Sequence, residues 1–293
     1  MTEKMQREPA LVCTYGPSGS GKTTELGYSF PNGVFIAGRG ALQSVLSVCG
    51  HMPRRVEANT IDDATRFLLK LKKKDGVDAV VVDDFSFLAE QTFAVYDKRF
   101  TGWKMWGALR DSTIAFRNAA RMADCHVVVN CWEQPPKLKA DGHRIKGGPM
   151  LSGKLPEQVP AMCDVVLRCA FEPARKPWSG VYRCHYSADY VMKDRFDIAS
   201  RVDPAPMNLA ELLRAAGYTI SRHPDLGWQE DVVEGLAEKL AVSEVVATDA
   251  NAAYSILLKQ GVSAPAARWS VRDALDRAII RRALAVSDQT FIL

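Results

Sequence analysis

What this 293-residue chain has little of narrows its function before any motif is read. Its opening stretch, MTEKMQREPA, is polar and charged and has no apolar core of the kind a secretory signal needs. No apolar run approaches the length that spans a bilayer, so a cytoplasmic protein with no membrane partner is expected. Seven cysteines include no C-x-x-C pair. Cys125/Cys131 and Cys163/Cys169 are spaced too widely for common zinc knuckles, so reduced core thiols are expected instead. Internal repeats and low-complexity tracts are absent. A net charge of +4 is too small to demand a polyanionic partner by itself, so local charge distribution must carry that argument.

What is present alternates. Apolar strands are expected at ALVCTY (10–15), GVFIAG (33–38), DAVVVDD (78–84), HVVVN (126–130), CDVVLRCA (163–170) and GVYRCHYSAD (180–189). Helical segments separate them: one from Lys22 to before Pro31, one capped by Thr60 and Asp63 and ending at Gly76, and a stretch running to about Ala123. Strands so apolar and so interleaved imply a mostly parallel sheet covered by helices on both faces. After Pro204 the pattern turns helical. MNLAELLRAAGY forms one helix, and Ser270 with Asp273 marks the start of a last one. Residues 225–249 carry seven acids against one lysine, and 259–282 carry six bases against two acids. These blocks fit either pairing with each other, within or between subunits, or solvated faces.

The densest signal is Gly16-Pro17-Ser18-Gly19-Ser20-Gly21-Lys22-Thr23, followed by Thr24. It fits G-x-x-x-x-G-K-[ST] between a strand and a helix. Its glycines let backbone N–H groups face a phosphate at the positive end of the helix. Lys22 is placed for the β- and γ-phosphates and the Thr23 hydroxyl for Mg²⁺. The metal also needs a carboxylate at a neighbouring strand end. Asp83 fits that role, with Asp84 beside it. No Asn is followed by Lys, so the N-K-x-D element that reads guanine is missing and ATP is the expected nucleotide.

Taken in order, YGPSGSGKTT, VVVDDFSFLAEQ, VVVNCWEQPP, GGPMLSGKLPEQVPAMCDVVLR and YVMKDRF resemble the RecA-type ATPase core. They look most like the phage branch that includes Sak-type single-strand annealing ATPases. The resemblance covers roughly residues 10–200. It implies an α/β, RecA-like P-loop core over 1–204, with a small helical region over 205–293. It implies that Asn130 senses the γ-phosphate, and that Lys193 and Arg195 reach into a neighbouring subunit's ATP, so that the protein works as a ring or filament. A phage origin would place it in the host cytoplasm.

The chain departs from that pattern where RecA has its water-orienting Glu: the comparable stretch is FIAGRGAL, with Arg39 in the Glu position. Arginine cannot act as a base. Asp84 is the first candidate to replace it and Glu133 the second. The segment between Asn130 and Pro160 reads as a long exposed loop whose Lys137, Lys139, Arg144, Lys146 and Lys154 would meet phosphates. Ahead of it, Trp103, Lys104 and Trp106 interleave aromatic faces with charge, which suits stacking on single-stranded DNA. The leading expectation is a DNA-dependent ATPase in recombination, annealing or replication. Its partners would be single-stranded DNA, further copies of itself, and a single-strand binding protein or other replication or recombination protein. A nucleotide-gated adaptor such as a helicase loader, and a small-molecule kinase, stay open beside it.

Overall fold

The computed structural model describes residues 7–72, 75–142, 144–171, 180–221, 230–243 and 246–290. The chain runs β1 (Leu11–Gly16), α1 (Lys22–Ser29), β2 (Val34–Ala37), α2 (Gln43–Cys49), β3 (Arg54–Val56), α3 (Ile61–Lys70), β4 (Ala79–Asp83), α4 (Phe85–Asp97), α5 (Trp103–Met122) and β5 (His126–Gln134). Three short strands follow: β6 (Lys137–Leu138), β7 (Arg144–Ile145) and β8 (Gly148–Pro149). After them come α6 (Leu155–Met162), β9 (Val165–Phe171), β10 (Gly180–Arg183), β11 (Lys193–Asp194), α7 (Ala199–Val202), β12 (Ala205–Pro206) and α8 (Leu209–Ala215). The last three helices are α9 (Glu230–Val242), α10 (Val246–Lys259) and α11 (Ala264–Thr290).

The main sheet has the order β12-β10-β9-β1-β5-β4-β2-β3. Every pair from β9 across to β3 is parallel, and β10 and β12 close the β9 side antiparallel. Alternation explains why these strands are apolar throughout. Val12, Phe35, Val81 and Val128 enter one core with α1, while Leu11, Cys13, Val80, Val82, Val127 and Val129 enter the other with α3 and α5. This is the α/β P-loop fold, mostly parallel and flanked by helices. All seven cysteines are free and buried within it.

Thr60 caps α3 as expected. Its hydroxyl accepts from the Asp63 N–H, while the Asp63 carboxylate accepts from Asn59 N–H and Thr60 Oγ1. Other boundaries differ. α3 ends at Lys70 rather than at Gly76, and the helical stretch to Ala123 divides in two at Gly102, whose φ is 58°. The last helix starts at Ala264, so Ser270 and Asp273 lie inside it. The segment after Asn130 is not one open loop. β5 continues to Gln134, Pro135 and Pro136 end it, β6 and β7 form a hairpin, and β8 returns to pair with β5.

The C-terminal helices do two things. Trp269 and Ile280 of α11, with Leu209 and Leu213 of α8, share a core with Leu26 and Tyr28 of α1. Around that contact lies a polar network. Glu25 accepts from Tyr182 OH, Ser29 Oγ and the Leu209 N–H. Tyr28 OH and Asn208 donate to Asp273, and the Arg272 guanidinium lies 4.8 Å from the Tyr28 ring centroid. The other side of α11 packs with α9 and α10 through Val233, Leu240, Leu257 and Val271. The opposed charge blocks meet within the subunit where they are described, with Glu234 pairing with both Arg277 and Arg281. Residues 225–229, 244 and 245 of the acidic block lie outside the described residues.

Candidate nucleotide site and basic groove

β1 delivers the loop Gly16–Gly21 to the C-terminal end of the sheet. Gly21 has φ of 86°, a left-handed turn that starts α1 without a side-chain cap and leaves its first N–H groups facing outward. At Gly16 a Cβ would lie 2.7 Å from the Cys169 carbonyl oxygen, so only glycine lets β1 pass β9 there. Lys22 folds back over the loop and donates to Gly16 O at 2.8 Å and Pro17 O at 2.9 Å. A phosphate entering the loop would exchange those neutral acceptors for charged ones.

A row of polar residues crosses the sheet beside the loop. Register pairs Thr14 with Asn130, Asn130 with Asp83, and Asp83 with Ala37. Thr14 Oγ1 donates to Asn130 Oδ1 at 3.2 Å, and Asn130 Nδ2 donates to Asp83. Asp83, 5% exposed, also accepts from the Thr23 hydroxyl. Burial raises its pKa, against the hydrogen bonds from Asn130 and Thr23 and the charge of Lys22. Asp84 caps α4 by accepting from the Phe87 N–H, and the Asp83–Asp84 peptide is cis. Burial, aided by the charge of Asp83 and opposed by that cap, pushes the Asp84 carboxyl up to about 6.

These residues enclose a cleft of about 580 Å³, lined by Ser18, Gly19, Gly21, Lys22, Thr23, Thr24, Asp83, Asp84 and Asn130. The expected site residues therefore converge in space, apart from Glu133, Lys193 and Arg195. Glu133 lies on the other face of β5 from Asn130 and accepts two hydrogen bonds from Arg168, at 2.9 and 3.1 Å. Thr14, Phe87 and Trp132 were not singled out in the sequence. Thr14 is the one strongly polar residue in its strand segment, and Trp132 follows Asn130 at the period of two that keeps both on one face.

Lys193 and Arg195 stand at the opposite end of the sheet. β11 pairs Lys193 with Val166, which is level with Cys13. That is about 10 Å along the strand from Gly16, at roughly 3.3 Å per residue. Lys193 Nζ donates to Ala161 O and Cys163 O, and Arg195 pairs with Asp164. Arg121 holds the same Asp164 in a bidentate pair at 2.6 and 2.8 Å, and Leu11 N–H donates to it at 2.9 Å.

The expected nucleic-acid contacts divide. Lys137 and Lys139 are exposed on and beside the hairpin. Arg144 pairs with Asp189, and Lys146 donates to Ser187 O beside the Tyr186 ring. A separate groove of about 570 Å³ gathers Trp103, Trp106, Arg110, Gly153 and Lys154, joining α5 to the start of α6. Trp103 is 89% exposed, and Lys104 beside it is exposed as well. Trp106 rests against Phe93, with ring centroids 4.9 Å apart.

A phosphate loop, a buried metal-type carboxylate two strands away and a mostly parallel covered sheet together define a nucleotide-binding P-loop ATPase. The chain belongs to the AAA domain family, whose sequence profile matches residues 8–196. No match was found among curated proteins. Nucleotide binding, typically with Mg²⁺, is the shared property of that family. Among the described residues no helix is long and apolar enough to cross a membrane.

Proposed function

We propose that this protein is an ATPase of RecA type that works on single-stranded DNA in recombination, annealing or replication, in the manner of the phage Sak-type proteins it resembles. The observation that supports this reading best is the groove at the start of α5. Two segments about fifty residues apart in sequence place Trp103, Trp106, Arg110 and Lys154 around one apolar trough. Aromatic faces bind bases without regard to sequence, and each stacked base contributes about 1–3 kcal/mol. The cations at the rim suit the backbone that links those bases.

The strand geometry supports a link between the cleft and the hairpin that carries Lys137. β5 carries Asn130 at the metal carboxylate, Trp132 at the edge of the cleft, and then runs through Gln134 towards the hairpin. Asp84 suits the role of general base: it lines the cleft and its carboxyl titrates near 6. Lys193 and Arg195 point away from their own subunit's cleft, so any action on ATP is on a neighbour's, in a ring or filament.

The test is ATP turnover with and without an oligonucleotide, in the wild type and in Trp103→Ala. DNA should stimulate turnover, and the substitution should weaken oligonucleotide binding about 5- to 100-fold while leaving basal turnover intact. Turnover indifferent to DNA removes the reading. For the shared site, mixing Lys22→Ala with Arg195→Ala subunits should restore part of the activity, and no rescue at any ratio counts against it. A nucleotide-gated adaptor is the second reading, favoured by Arg39 in the Glu position; binding without turnover would establish it.

A further inference from the structure

We propose that Arg39 selects triphosphate over diphosphate by placing its guanidinium on the γ-phosphate of the nucleotide held in its own subunit. This rests on nucleotide binding by the cleft and not on any role for DNA. β2 ends at Ala37, which pairs with Asp83. Its next residues turn along the rim: Gly38 and Ala41 line the cleft, and Arg39 stands between them, exposed. Asp83, with Thr23, would hold a metal that neutralises the terminal phosphates, so it marks the phosphate end of the cleft. Arg39 therefore borders the terminal phosphate rather than the nucleoside.

Charge points the same way. Among the described residues lining the cleft Lys22 is the only cation, while Asp83 and Asp84 are both acids. A divalent metal ion would cancel that single excess negative charge, and a bound triphosphate would leave the cleft strongly negative again. Arg39 makes no hydrogen bond or ion pair with the described residues, unlike Arg168 and Arg195, whose guanidinium groups are engaged. A planar guanidinium suits two oxygens of one phosphate, which a single ammonium does not. The backbone leaves it freedom to do so. Gly40 has φ of 80°, and neither Gly38 nor Gly40 has a neighbour within 4 Å of where a Cβ would stand. The side chain that cannot serve as a base at this position thus serves as a reader of nucleotide state.

Calorimetry of Mg·ATP and Mg·ADP binding to the wild type, Arg39→Ala, Arg39→Lys and Lys22→Ala tests this. Arg39→Ala should weaken ATP about 10- to 100-fold and ADP less than about 3-fold, with Arg39→Lys between wild type and alanine for ATP. Equal losses for the two nucleotides, or none, overturn the proposal. Lys22→Ala should weaken both; if it weakens neither, the cleft is not the nucleotide site and the assignment of Arg39 falls with it. Mixing Arg39→Ala with Lys22→Ala subunits should not recover tight ATP binding. Recovery would assign Arg39 to a neighbour's nucleotide and overturn the same-subunit contact.

Discussion

Asp83 and Asp164 are both buried aspartates at strand ends, one at each end of the same parallel sheet, and their surroundings are opposites. Asp164 meets two guanidinium groups and a backbone N–H. Burial alone would raise its pKa, but the hydrogen bonds and charge of Arg121, helped by Leu11 N–H and Arg195, hold it below the usual carboxylate value. Asp83 meets an amide, a hydroxyl and a lysine that donates elsewhere, and its pKa is raised. One carboxylate is compensated by the fold; the other is left for a ligand to compensate. That contrast separates a structural ion pair from a site better than burial, which is nearly the same for both.

The comparison can be broken at several points, largest effect first. Asp164→Asn should cost about 3–5 kcal/mol in urea denaturation, because it leaves Arg121 without a counter-charge. Asp83→Asn should leave the free protein as stable or more so; equal losses at both positions would dissolve the contrast. The next effect is on pH. His126, at the Asp164 end, accepts the Ala10 N–H on Nδ1, and burial lowers its pKa to about 4. The unfolded chain takes up that proton near pH 6.5 and the folded one only near 4. Stability should therefore fall as pH drops between those values, by up to about 3 kcal/mol, and His126→Gln should flatten this part of the profile. At the cleft end, Mg·ATP at one hundred times its dissociation constant should raise stability by about 2.7 kcal/mol, an increment lost in Lys22→Ala. The smallest effect is at Asp84, whose folded carboxyl titrates near 6. Asp84→Asn keeps the helix cap and removes a poorly solvated charge. It should gain about 1 kcal/mol above pH 6, with the gain fading towards pH 4 as the wild-type carboxyl takes up its proton. The same variant should lose turnover while keeping ATP binding; unchanged turnover would remove Asp84 as the base.

How much of this was legible in the sequence follows from how local each signal is. The phosphate loop, the apolar strands and the Thr60 cap each reside in a few consecutive residues and stand close to where they are expected, except that the strand expected over 180–189 ends at Arg183. The Thr14–Asn130–Asp83 row was only half visible, because it depends on β5 lying between β1 and β4, and strand order is not written in any one segment. Ser270 and Asp273 satisfy a capping pattern yet sit inside α11, since Asp273 faces Tyr28 and Asn208. A spacing rule cannot tell a cap from a buried polar contact. The hairpin after Pro136 looks like loop in the sequence because its strands are too short to show alternation. The meeting of Trp103 with Lys154 needed the packing of α5 against α6.

The network behind α1 has its own consequence. Glu25 lies one helical turn beyond Lys22, and its carboxylate depends on Tyr182 from the sheet and on the first N–H of α8. Tyr28, three residues on, is held by α11. The tail is thus the backing plate of the phosphate loop. A protein cut after Pro204 would keep every residue that touches the triphosphate and still lose its grip, because the helix presenting those residues would have a stranded acid and an empty apolar seat behind it.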